Sequence, residues 1–148
     1  MCRRFFRHDH EAIEAVNDGM LKVFLHIGSY KSEKGRFFNW VYTVVRRAAL
    51  DKFKKSGALV FPAAEQEDDF PDPGADPLAD LEKKDVYVFL DALSPATRVV
   101  CNLFYLEGYS IQDVAGLLGI SPGTVKWHLN AARKRLRSIF ERYINDCV

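Results

Sequence analysis

No stretch of this 148-residue chain approaches the roughly 18 consecutive apolar residues that span a bilayer. Met1-Cys2-Arg3-Arg4 leads into no apolar signal-peptide core. The expectation is a cytoplasmic protein with no membrane insertion. Cysteine is scarce: Cys2, Cys101 and Cys147 are odd in number, far apart and in no C-x-x-C pair, which argues against a disulfide framework or a zinc site. A Walker loop, a dinucleotide fingerprint and a nucleophile elbow are all missing. His8-Asp9-His10 has no third or fourth ligand nearby, His26 and His128 are isolated, and Asp68-Asp69 has no sign of the burial that makes a general acid. The chain reads as a non-enzyme without cofactor or metal. Alternating strand patterns joined by two-residue turns are also lacking, so the expected fold is all-α.

What the chain does have is divided charge. Residues 1–55 hold 12 basic against 6 acidic side chains, residues 56–85 hold 2 against 9, and residues 86–148 hold 7 against 5. Two basic blocks flanking an acidic one suit two surfaces that meet a polyanion and a connector that does not. The middle block, "SGALVFPAAEQEDDFPDPGADPLADLEKKD", carries most of the prolines and shows little helical period. It reads as a flexible linker over 56–85 between two small helical domains, 1–55 and 86–148.

In the first block Ala12, Val16, Met20, Val23 and Ile27 recur at helical spacing and are expected to be one buried stripe, with Glu11, Glu14, Asp18 and Lys22 off it. Gly28 and Ser29 close that helix, and "SYKSEKGR" reads as a loop. A second helix from about Arg36 sets Phe37, Val41, Val44 and Ala48 on one side. Arg36, Asn39, Thr43, Arg46, Arg47 and Lys54 gather on another, with Trp40 at the border. An aromatic beside Arg and Asn suits stacking on unpaired bases as well as phosphate contact. A merely solvated basic face is the plainer alternative.

In the last block Asp85 to Ala92 reads as a short helix. The next has Ser94 as N-cap, Pro95 at its first position and Gly108 at its end. Ser110 and Asp113 form a capping box, Gly119 supplies a turn, and Ser121-Pro122 start a helix whose core stripe is Val125, Leu129, Ala132, Leu136 and Phe140. Over about 110–137 this is helix-turn-helix spacing, with Ala115 allowing close packing and Ile120 and Val125 fixing the angle. The second helix would enter the major groove with Ser121, Thr124, Lys126, Trp127 and Asn130 at its outward start and Arg133, Lys134 and Arg137 beyond. Lys and Arg bring affinity, and Asn130 or Lys126 base choice. An amphipathic helix with a solvated basic face is again the plainer alternative. Trp127 weighs against it, since a large aromatic off the core stripe usually has a partner.

Taken together, the two blocks resemble an extracytoplasmic-function (ECF) member of the bacterial sigma-70 family. Residues 11–24, "EAIEAVNDGMLKVF", are similar to its D-A-E-D-x-V-Q-D-x-F-L-K-V-W segment, and 37–51, "FFNWVYTVVRRAALD", to F-x-x-W-L-Y-x-I-A-R-N-x-A-L-D. Residues 93–137 resemble the promoter-reading domain, L-P-x-x-x-R-x-V…L-E-G-x-S-x-x-E-I-A-x-x-L-G-I-S-x-G-T-V-K-x-x-L-x-x-A-R-x-x-L-R. The chain departs from the pattern at Ile13, Asn17, Met20 and Arg47, where the family commonly has an acid, Gln, Phe and Asn.

The resemblance implies a transcription initiation factor with core RNA polymerase and promoter DNA as partners, and leaves an anti-sigma factor open as a third. Region 2, over 1–55, would hold polymerase through Glu11, Glu14, Asn17, Asp18 and Lys22. It would keep the −10 element single-stranded with Arg36, Asn39, Trp40, Thr43, Arg46 and Arg47. Region 4, over 86–148, would read the duplex −35 element, and the linker would thread toward the RNA path. Family members carry a further helix ahead of "CRRFFRHDHEA", so region 2 is expected to be partial, poorly stable, and to uncover part of the stripe from Ala12 to Ile27. The competing readings are a dimeric LuxR-type regulator, which leaves 11–55 unexplained, and an adaptor whose basic faces bind an acidic protein.

Overall fold

In the computed structural model, residues 1–57 and 83–146 are described. The chain forms two compact units, Met1–Leu59 and Val60–Val148. The reading of 56–85 as an acidic linker falls almost wholly outside the described residues. Every regular element among the described residues is helical.

The first unit holds α1 (Cys2–Phe5), α2 (Asp9–Leu25) and α3 (Phe37–Lys55), with single 3₁₀ turns at Ile27–Ser29 and Ser32–Lys34 between α2 and α3. The helices α2 and α3 form an antiparallel pair whose crossing is set by small residues. Ala12, Ala15, Gly19 and Val23 are the buried line of α2, facing Val45, Ala48 and Ala49 of α3. Phe5 and Phe6, at the end of α1, are buried too, and the Phe6 ring lies edge-on to Phe53 of α3, 6.0 Å between centroids.

The expected stripe of α2 is thereby corrected. Ala12 and Val23 are buried, but Val16, Met20 and Ile27 are exposed. Side chains advance about 100° per residue, so Ala15 and Gly19 lie on one side of the Ala12–Val23 line and Val16, Met20 and Ile27 on the other. α3 takes the small-residue side because a glycine there lets the two backbones meet closely. The α3 grouping shifts similarly: Phe37 is exposed and Val41 and Val44 half-buried, whereas Val45, Ala48, Ala49, Leu50 and Phe53 are buried.

The second unit holds α4 (Lys83–Asp91), α5 (Pro95–Cys101), α6 (Ile111–Leu118) and α7 (Pro122–Asp146). Its core joins Leu90, Leu93, Val99, Val100 and Leu103 with Val114, Leu118, Val125, Leu129, Ala132 and Leu136. Phe140 is half-buried and packs on Phe89, 4.9 Å between ring centroids. The helix expected from Ser94 to Gly108 starts as read, since the Ser94 hydroxyl accepts the Thr97 amide at 3.4 Å. It finishes in a π turn over Asn102–Leu106. Arg98, buried in α5, is ion-paired with Asp91 of α4. A buried guanidinium needs such a carboxylate to offset its desolvation.

Candidate nucleic-acid interface

Local side-chain chemistry builds the α6–α7 corner. Ser110 Oγ accepts the Asp113 amide at 3.1 Å while Asp113 Oδ2 accepts the Ser110 amide at 3.2 Å, a reciprocal capping box. Gly119 ends α6 at φ 69°, ψ 35°, a left-handed conformation that glycine enters without a Cβ clash. The Ile120 amide then reaches back to the Ala115 carbonyl at 3.1 Å. Ser121 Oγ accepts the Thr124 amide at 3.1 Å and starts α7. Ala115 and Val125 are buried at the crossing. Ser110, Asp113, Gly119 and Ser121 thus cap the two helices and set the turn between them.

The eight side chains read from the sequence as DNA contacts divide. Ser121, Trp127, Lys134 and Arg137 are exposed, and Lys126 is half-buried. Thr124 is buried rather than outward, with its hydroxyl 2.9 Å from Ser121 Oγ, so it serves the cap. Asn130 and Arg133 are half-buried, with Asn130 Nδ2 and Arg133 Nε and Nη2 turned out of solvent. The face that α7 offers is therefore led by Trp127, Lys134 and Arg137.

On α3, Arg36, Asn39 and Arg47 are exposed and Trp40, Thr43 and Arg46 half-buried. Taking 100° per residue, Arg36, Trp40, Thr43 and Arg47 lie opposite the buried Val45, with Asn39 beside them. Thr43 donates to the Asn39 carbonyl at 2.9 Å, and the Arg46 guanidinium sits 5.8 Å from the Tyr42 ring centroid. Trp40 is held in an aromatic trio, its ring centroid 5.7 Å from Tyr30 and 5.8 Å from Phe37. Tyr30 is anchored in turn, its hydroxyl donating to the Gly35 carbonyl at 3.0 Å. Reading "SYKSEKGR" only as a polar loop missed Tyr30. Its sole signal was an aromatic in a loop beside an aromatic-rich helix.

α2 has two unlike flanks. Glu14 and Asp18 pair with Lys52 at 2.6 and 3.7 Å, and Lys22 with Asp51 at 3.6 Å, so three of the five expected polymerase contacts bridge to α3. The Lys52 ammonium holds the Glu14 carboxyl below the ordinary carboxylate range, and Glu14 raises Lys52 in return. Glu11 is half-buried beside them. Asn17, the fifth, is exposed on the opposite flank with Ile13, Val16, Met20 and Phe24. A groove of about 380 Å³ continues that flank between Met20 and Phe24 of α2, Ile27 of the turn that follows, and Phe37, Phe38 and Val41 of α3. His8 and His10 stack at 5.7 Å, and no cluster fit for a metal occurs among the described residues.

A capped helix-turn-helix and a basic, aromatic-bearing helix in separate units are the features of a nucleic-acid-binding protein. Comparison with known families is more specific. Residues 1–58 match sigma-70 region 2 and residues 83–136 match sigma-70 region 4. The ECF RNA polymerase sigma factor SigM of Mycobacterium tuberculosis is 32% identical over 149 residues, covering 100% of this chain and 73% of the relative. SigM of Bacillus subtilis is 26% identical over 93% of this chain and 84% of its own length. SigE of Mycolicibacterium smegmatis is 23% identical over 99% of this chain and 58% of its own length. The chain belongs to the sigma-70 family as an ECF-type sigma factor, a transcription initiation factor. The LuxR reading gains no support, because the block it left unexplained is region 2.

Proposed function

We propose that this chain recruits core RNA polymerase to promoters by dividing recognition between its two units. α7 enters the major groove of the −35 element with Trp127, Lys134 and Arg137 foremost and Ser121, Lys126, Asn130 and Arg133 beside them. α3 holds the −10 element as single strand. There Trp40, braced by Tyr30 and Phe37, offers a stacking surface, and Arg36, Asn39 and Arg47 reach the backbone and base edges. Stacking of a base on an aromatic contributes about 1–3 kcal/mol. Polymerase docks on α2 through Asn17 and the apolar flank, with Glu11, Glu14, Asp18 and Lys22 ordered at its edge by α3. RNA synthesis itself belongs to the polymerase. The work is cytoplasmic, residues 56–85 serve as the acidic linker between domains 1–55 and 86–148, and an anti-sigma factor is a further partner to be sought.

The observation that carries this is the capped corner at Ser110, Gly119 and Ser121, from which α7 packs Val125 and Leu129 inward and leaves Trp127, Lys134 and Arg137 exposed, while α3 independently presents Arg36, Trp40 and Arg47. The test is run-off transcription with core polymerase of the host bacterium on a set of its promoters. Initiation that depends on this chain is expected. Binding as a dimer to an isolated inverted repeat, without polymerase, would instead revive the LuxR reading. Lys134→Ala and Trp127→Ala should weaken upstream-element binding and leave polymerase association intact, and equal loss of both activities would refute the division. Binding should also weaken with salt at a slope near −0.9 per neutralised phosphate in log K against log salt.

A further inference from the structure

Trp127 and His128 are neighbours on α7, so their side chains diverge by about 100°. Trp127 is 38% exposed and His128 only 1%. The buried imidazole is tied to a different helix: His128 Nδ1 lies 2.8 Å from Thr97 Oγ1, which is itself buried. Thr97 Oγ1 accepts the Ser94 hydroxyl at 2.9 Å, and Ser94 is the N-cap of α5. Three polar side chains thus link the first turn of α5 to the second turn of α7. A Thr hydroxyl that accepts from Ser94 keeps its own proton to give, and Nδ1 can receive it on the neutral Nε2–H tautomer. Burial favours that neutral form, pushing the His128 pKa down to about 4. The Trp127 ring meets the same imidazole edge to face, with centroids 4.8 Å apart and planes at 86°, a preferred aromatic arrangement.

We propose that His128 is a positioning residue for upstream-promoter recognition: held by Thr97 within the fold, its ring sets the presentation of Trp127 to the DNA. The inference rests on α7 being the recognition helix. It separates two jobs on that helix. Val125, Leu129, Ala132 and Leu136 are buried and supply its apolar packing. The Ser94–Thr97–His128 relay, being directional, fixes how far α7 is rolled and slid on α5. Slack in the relay therefore moves the indole before it unfolds the helix.

The test uses the full chain with Trp40→Phe, which leaves Trp127 as the one tryptophan of the two in the sequence. Thr97→Val removes the hydroxyl at nearly constant shape, Thr97→Ser restores it, and His128→Asn keeps a polar atom near Nδ1 while deleting the ring. Two quantities are read: acrylamide quenching of Trp127, and the affinity ratio between a duplex that the parent chain enriches from a random-sequence pool and a scrambled one. Thr97→Val and His128→Asn should each raise quenching and cut the ratio by about fivefold or more, the size of one good base contact. Affinity for the scrambled duplex should hold, and Thr97→Ser should restore both readings. A lowered melting midpoint with quenching and ratio unchanged would reduce the relay to a structural role and overturn the proposal. If Thr97→Val does not fold, His128→Asn decides by the same criteria. Failure of the parent chain to enrich any duplex would refute the recognition-helix reading, and the quenching arm would still decide whether His128 braces Trp127.

Discussion

Gly19→Ala tests the packing that holds the first unit. A Cβ at Gly19 would stand 2.8 Å from Val45 Cα and 3.0 Å from both Val45 methyl carbons. Carbon atoms pack at about 3.5–4.0 Å, so the helices must part by roughly 0.7 Å at the crossing. The nearest atom is backbone, so no rotamer change relieves it. Overpacking of this kind costs about 1–3 kcal/mol, and alanine in a helix interior regains about 1 kcal/mol over glycine. The expected net loss is about 1 kcal/mol. Gly116→Ala on α6 is the control, since a Cβ there meets nothing within 4 Å and φ is not positive. That change should stabilise the second unit by about 0.5–1 kcal/mol. Each unit carries one tryptophan, Trp40 or Trp127. Urea unfolding followed by fluorescence in Trp127→Phe and Trp40→Phe backgrounds therefore reports the two changes separately. A higher midpoint for Gly19→Ala, matching that for Gly116→Ala, would refute the close crossing.

Acid should weaken the second unit specifically. His128 is pushed from its ordinary 6.5 down to about 4 by burial, so between those values the unfolded chain binds the proton and the folded one does not. The sign is a loss of stability as pH falls through that window, at most about 2.5 kcal/mol between pH 7 and 4.5. Urea midpoints followed by Trp127 should show it, and a His128→Gln chain with an undiminished loss would point elsewhere. Ser110→Ala removes half of the capping box and should cost about 1 kcal/mol, read as a lower urea midpoint with an unchanged slope. Asp91→Ala takes the carboxylate from Arg98, whose side chain is 3% exposed, and should cost about 3 kcal/mol. Lys52→Ala in the first unit, whose partners Glu14 and Asp18 are exposed, should cost far less in urea unfolding followed by Trp40.

The caps and turns were legible in the sequence because their signals are local. Ser94-Pro95, Ser110 with Asp113, Gly119 and Ser121 each solve a hydrogen-bonding or φ problem within three residues, and all of them stand where read. Partners distant in sequence were not legible. His128 read as isolated because Thr97 lies 31 residues earlier, and Trp40 read alone because Tyr30 comes from a loop. The exposure of Thr124, Asn130 and Arg133 was overestimated for a related reason: helical phase gives the direction of a side chain from its own axis, while burial depends on what the neighbouring helices cover.

α2 shows why the largest apolar residues were the wrong guide. Hydrophobicity and period favoured Val16, Met20 and Ile27, yet a helix pair gains most where backbones come closest, and only Ala12, Ala15 and Gly19 permit that against Val45, Ala48 and Ala49. The bulky residues are then left on the adjoining flank, where Ile13, Val16, Met20 and Phe24 surround Asn17 in solvent. Contiguous apolar surface of this kind on a folded unit marks a binding site more often than a scattered excess. The charged flank is meanwhile engaged with Asp51 and Lys52. The small-residue seam and the exposed apolar flank are thus one design. By packing through glycine and alanine, α2 holds to α3 along a narrow line and leaves its large side chains exposed on the adjoining flank.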